Sequence, residues 1–205
     1  MIIAIEGTDG TGKTSVTRML FNKYRGEGKN VILAGEPGHT EAGSKIRDIL
    51  LGGVDMCPQC RLLLYLASMV DMVRDISCTY DNEVLHGDDL YIILDRFIFS
   101  TMAYQGDTTN MSTIEDLMYT FEIEDLWPDI IFILDMNPAL ALARKGRDNL
   151  DVIESQPIEY LEGVRARYLN IAETYMGTYI IDANRTIDKV FNEIVRIIGE
   201  YREAL

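Results

Sequence analysis

Residues 5–15 read IEGTDGTGKTS: a short apolar run ends, glycines and threonines follow, and a single lysine stands where the next segment begins. Gly7-Thr8-Asp9-Gly10-Thr11-Gly12-Lys13-Thr14 has the spacing of a phosphate-binding loop, namely glycine, four residues, then Gly-Lys and a hydroxyl residue. Glycines let the backbone curl until successive amide N–H groups point inward, and a following helix adds its positive end. Lys13 then reaches the outer phosphates of a nucleoside triphosphate, and Thr14 offers a hydroxyl to magnesium, with Ser15 closing the set. An ordinary glycine turn is the plainer alternative. The context favours the loop, because the motif follows a strand pattern and opens a helical one.

Outward from the loop, five apolar runs read as strands: Ile2 to Ile5, Val31 to Leu33, Leu90 to Leu94, Ile130 to Leu134 and Thr178 to Ile181. None alternates with period two, as expected of parallel strands covered by helices on both faces, so the whole sheet is expected to be buried. Between them, Val16, Met19 and Leu20, and again Val190, Phe191, Ile194, Val195 and Ile198, form helical stripes facing the sheet. Longer helices are expected over residues 61–76, after Pro58, and over 156–176. Strand and helix alternate without repeats or a low-complexity linker. The reading is one α/β domain over 1–205, a three-layer sandwich of the phosphate-loop type around a five-stranded parallel sheet.

Composition narrows the functional classes. No apolar run is long enough to span a bilayer, and Met1 leads straight into the first strand with no leader pattern, so no membrane partner and a cytoplasmic location are expected. Nineteen basic against thirty-three acidic residues give a net charge of −14, which disfavours nucleic acid. A local positive cleft for a small anion remains compatible with that charge. Three cysteines are too few and too uneven for a disulfide framework. Cys57-Pro58-Gln59-Cys60 has half-zinc-site spacing but lacks two further ligands at metal spacing, so two thiols at a helix entry is the preferred reading.

A phosphate loop alone does not distinguish kinase, hydrolase, switch and motor, although no Asn-Lys-x-Asp guanine motif is present. Four further stretches do. Glu36-Pro37-Gly38 with Thr40, Gly43, Ile46 and Arg47, "LDRFIFSTMAYQG" from Leu94 to Gly106, "NLDVIE" from Asn149 to Glu154 and "RARYLNIA" from Arg165 to Ala172 resemble, in order, the motifs of thymidylate kinases. The resemblance runs the length of the chain. It implies Mg-ATP-dependent transfer of a phosphoryl group to dTMP, and a homodimer paired through helices such as the Leu- and Met-rich 61–73 segment.

Arg96 resembles the family arginine that grips the acceptor phosphate, and Asp95 stands at a strand end where a magnesium-binding carboxylate would sit. Asp135 ends its strand similarly, with a turn role equally open. Some members of the family carry an arginine in the loop; here position 10 is glycine, so the extra charge is expected from a lid over about 143–154, where Arg144, Lys145 and Arg147 gather. Asp9 resembles the carboxylate that meets the sugar 3′-hydroxyl, and Tyr104 the aromatic set against its 2′ position. Tyr65 falls where an aromatic stacks on the base, or is simply a core tyrosine. By the same resemblance Thr101 and Gln105 fall where polar side chains could meet the pyrimidine edge, and Ser100 beside them is expected to bind the acceptor.

The departures concentrate at the base. Met69 stands where an arginine usually donates to thymine, leaving either Arg74 to substitute or an altered base contact, as for another deoxynucleotide such as dUMP or a 5-substituted dUMP. Gly35, His39 and Val152 also depart from the pattern. A non-catalytic nucleotide-binding protein is the rival from another class; Lys13, Asp95, Arg96 and a basic lid together exceed what binding alone requires.

Overall fold

The computed structural model describes residues 1–81, 90–106, 109–145, 152–153 and 155–204. Its strands are β1 (Ile2–Glu6), β2 (Asn30–Gly35), β3 (Leu90–Asp95), β4 (Ile130–Asp135) and β5 (Thr178–Asp182). They form one parallel sheet in the order β2-β3-β1-β4-β5. The helices are α1 (Lys13–Gly26), α2 (Glu41–Leu51), α3 (Pro58–Asp81), α4 (Ile98–Gln105), α5 (Met111–Thr120), α6 (Pro138–Lys145), α7 (Ile158–Thr174) and α8 (Ile187–Glu203). No helix among the described residues is long and apolar enough to cross a membrane.

The pleat explains the continuous apolar runs. Ala4 lies opposite Leu94 and Ile131, and all three enter the core made with α3, α4, α5 and α7. Ile3, Ile5, Ile93 and Phe132 point the other way, into the core shared with α1 and α8. Successive side chains therefore bury on opposite faces, and each position is apolar.

All five expected strands are present, and each continues beyond its apolar run. Four of them end on a carboxylate: Glu6, Asp95, Asp135 and Asp182. At the carboxyl edge the chain leaves the two cores, so hydropathy stops marking it as strand while the ladder continues. β5 corrects the expectation of a wholly buried sheet, since Tyr179 and Ile180 are exposed on this edge strand. α3 is longer than the expected 61–76 at both ends. α7 is shorter than 156–176, because Pro157 precedes its first turn and Tyr175 is extended.

Candidate active site

The loop between β1 and α1 sits at the carboxyl edge of the central strand. Gly7 has φ 135° and Gly10 φ 82°, both in the region L side chains rarely adopt. A Cβ on Gly10 would lie 2.1 Å from the Ala141 carbonyl oxygen of α6, so the loop has no room for a side chain there. Thr11 Oγ1 and Lys13 Nζ each donate to the Thr8 carbonyl at 2.8 Å, which closes the curl. Burial, then repulsion from Arg96, lower the Lys13 ammonium to about 8, against the pull of Asp9, Asp95 and Glu6. Thr14 Oγ1 donates to Asp95 Oδ2 at 2.7 Å, which joins the first residues of α1 to the end of β3.

A cleft runs over this loop, lined by Gly10, Gly12, Lys13, Thr14, Ser15, Asp95 and Arg144. A second cavity adjoins it, lined by Tyr65 and Met69 of α3, Ser100, Thr101 and Tyr104 of α4, Leu51 and Ile153. Asp9, Glu36, Pro37, Arg47 and Arg96 line both. The two spaces thus share a wall that carries two arginines.

Arg96 is the best-held residue on that wall. Its backbone has φ 74°, a conformation that costs a non-glycine residue about 1–3 kcal/mol and persists only where the surroundings impose it. Nη2 donates to Asp9 Oδ1 at 2.5 Å, and Nη1 contacts the Gly7 carbonyl, Ser100 Oγ and Tyr168 Oη at 3.1, 3.0 and 3.3 Å. Burial disfavours its charge, but Asp9 together with Tyr104, Tyr168 and Glu6 outweighs that and raises the guanidinium well above its ordinary value. Asp9 is likewise desolvated, yet Arg96, Lys13 and the Tyr104 hydroxyl at 3.0 Å hold its carboxyl far below the usual range. Tyr104 also lies under the guanidinium, 5.3 Å from ring centre to Cζ.

Glu36 follows β2, and its amide donates to the Asp95 carbonyl. It precedes a cis peptide bond to Pro37. Ser68 donates to Glu36 Oε2 at 2.6 Å, while Oε1 is buried with no hydrogen-bond partner among the described residues. Burial raises this carboxyl to about 7. Arg47, from α2, donates to the Pro37 carbonyl at 2.9 Å and is otherwise exposed toward the shared wall.

Several expected residues lie elsewhere. Arg74 is exposed on α3 and lines a separate groove with Leu63, Leu66, Ala67, Val70 and Phe121, so it does not take the place of an arginine at Met69. Gln105 is buried on α4 and does not line the cavity. Arg144 reaches the cleft edge, but its guanidinium donates to the carbonyls of Ala183 and Asn184 at 2.7 and 3.1 Å. Arg147 and most of the lid lie outside the described residues, as does the Lys145 side chain. Asp135 accepts both Arg165 Nε and Nη2, at 2.6 and 2.7 Å, and joins β4 to α7. Cys57, Cys60 and Cys78 are exposed thiols, the first two at the entry to α3.

Reasoning from sequence missed Glu6, Ser68, Ile153 and Tyr168, and gave Arg47 no role. Glu6 offered one signal, an acid ending an apolar strand directly before the loop. Tyr168 and Arg47 lay inside motifs that carried the resemblance, without anything local to mark their contacts.

A phosphate loop on the central strand, opening through shared arginines onto a second cavity, defines the class of P-loop nucleotide kinases. The thymidylate kinase family model matches residues 5–194. Thymidylate kinases of Thermosipho africanus and Thermosipho melanesiensis are 34% and 36% identical to this chain, covering 100% and 97% of both partners. That of Fervidobacterium nodosum is 33% identical over 98% of this chain and all of its own. This chain belongs to the thymidylate kinase family.

Proposed function

We propose that this protein transfers the γ-phosphoryl group of ATP to dTMP, giving dTDP and ADP. The observation that carries the reading is the wall common to both spaces, where Arg96 and Arg47 face the loop cleft on one side and the cavity on the other. An acceptor phosphate is already ionised, so the task is to bring two anions together and to stabilise charge on the moving group. A dTMP phosphate oxygen bonds to the γ-phosphorus as the bond to the β–γ bridging oxygen breaks, and ADP leaves with that electron pair.

In this reading Lys13 and the loop amides bind the donor phosphates, and Arg96 and Arg47 bind the acceptor phosphate. Tyr65 and Met69 pack on the base, Thr101 meets its polar edge, and Asp9 and Tyr104 face the sugar. The Thr14 hydroxyl and Asp95 carboxylate, already in contact, are the hard oxygen donors that suit Mg²⁺, which typically takes one or two protein ligands beside substrate phosphates. Magnesium would neutralise phosphate charge there. The absence of room at Gly10 supports a lid source for further positive charge, Arg147 above all: Arg147→Ala is expected to lower turnover far more than ATP affinity.

The exposed apolar groove of Leu63, Leu66, Ala67, Val70 and Phe121 supports a homodimer paired through α3, which light scattering after size exclusion checks. Small nucleotides on both sides of the reaction fit a cytoplasmic enzyme. A coupled ADP-release assay with dTMP, dUMP, 5-hydroxymethyl-dUMP, dCMP and dGMP tests the function. dTMP is expected to give the highest kcat/KM; no ADP release with any of them would overturn the reading.

A further inference from the structure

Glu6 ends β1 with its side chain fully buried, and it lines neither the cleft nor the cavity. A carboxylate in that position is costly unless its lone pairs are used, and here they are. Oε1 accepts the Phe97 amide at 2.7 Å. Oε2 accepts the Ser100 hydroxyl at 2.6 Å and the Tyr168 hydroxyl at 3.1 Å. Those two hydroxyl oxygens lie 2.8 Å apart, and both lie against Arg96 Nη1.

We propose that Glu6 is a positioning residue for Arg96, fixing both the guanidinium and the turn that carries it. The inference rests on the kinase reading for its consequence, although its geometry does not. An ionised carboxyl can only accept hydrogen bonds. It therefore draws the Ser100 hydrogen to itself, the Tyr168 hydrogen is shared between Glu6 Oε2 and Ser100 Oγ, and both hydroxyl oxygens keep a lone pair turned to Arg96, which can only donate. The other bond, to the Phe97 amide, anchors the residue directly after Arg96, whose φ of 74° needs outside support. The Arg96 amide is held in turn by the Ile5 carbonyl at 3.1 Å. β1 thus grips both ends of the Arg96 peptide segment, and Asp9 holds the far side of its guanidinium. Burial raises the Glu6 carboxyl, and the Ser100 hydrogen bond first, then attraction to Arg96, offset part of that.

Glu6→Gln keeps the shape but presents an N–H₂ to two hydroxyls that must also accept from Arg96, so the chain of donors no longer closes. The variant is expected to lose about 30-fold or more in kcat for dTMP, with the ATP KM within about threefold and a melting temperature close to the parent's. Ser100→Ala breaks the same chain, so the double variant should lose little more than the worse single one. A lowered melting temperature with unchanged kcat would make Glu6 merely structural, and multiplicative losses in the double variant would separate it from Ser100; either result overturns the proposal. Crystal structures of the parent and of Ser100→Ala and Glu6→Gln decide independently of activity: Arg96 is expected to leave Tyr168 in the variants, and an unmoved Arg96 also overturns it. A parent that fails to phosphorylate dTMP sinks the functional reading without touching that comparison.

Discussion

The loop cleft takes most of its polar groups from one eight-residue turn and the strand beside it, whereas the far end of the adjoining cavity, proposed above for the base, is assembled from α3, α4, the end of α2 and Ile153. Phosphates offer the same charge to every protein that binds them. Curled amides, a lysine and a hydroxyl meet that demand at a fixed spacing, and the solution can be written locally. A base offers a shape and a few edge atoms, which side chains from distant segments can meet in many combinations. Here an apolar Met69 and a Ser68–Glu36 hydrogen bond occupy the wall where the family more often places an arginine.

Breaking the cleft should have the largest effect. Lys13→Ala removes the only lysine lining it among the described residues, and kcat/KM for ATP and dTMP together is expected to fall by about 10³ or more, checked by steady-state kinetics. Arg96→Lys tests the shared wall: a point charge cannot reproduce contacts to Asp9, Gly7, Ser100 and Tyr168 at once, so about a 100-fold fall in kcat is expected.

The base end responds first through pH. Burial raises the Glu36 carboxyl to about 7, so the folded state holds its proton more tightly than the unfolded chain. Stability from this group is present in full below the unfolded value near 4.5 and falls as pH rises toward 7. Relative to the parent, Glu36→Gln should gain about 3 kcal/mol on going from pH 4 to pH 8, read by denaturant unfolding at the two pH values. The smallest effect is expected from Met69→Leu. If Met69 supplies apolar contact alone, the dTMP KM stays within about threefold; a much larger rise would show that the thioether itself matters.

The same contrast governs what the amino-acid sequence discloses. The five strands are legible because burial on both faces demands unbroken apolar runs, and the loop is legible because its chemistry is contiguous. The apolar runs stop one residue short of the carboxylates that close four strands, since an acid carries no hydropathy signal for strand, and only Asp95 and Asp135 are legible as strand ends. Asp135 and Asp95 look alike in sequence, each an acid after an apolar run, yet one is taken by Arg165 and the other meets Thr14. Only the partner from a distant helix separates them. Arg74 failed as a substitute donor for a rotational reason. It lies five residues beyond Met69, which turns it about 500°, or 140° after a full revolution, onto a different face of α3.

The contact at Gly10 reaches beyond this chain. With α6 resting on the loop backbone, a side chain at position 10 and the present seat of that helix compete for one volume. An arginine in the loop at that position would therefore require α6 to move. A loop side chain and the present seat of α6 are mutually exclusive by steric occupancy, and a change from one to the other would have to alter the loop and reseat the helix together.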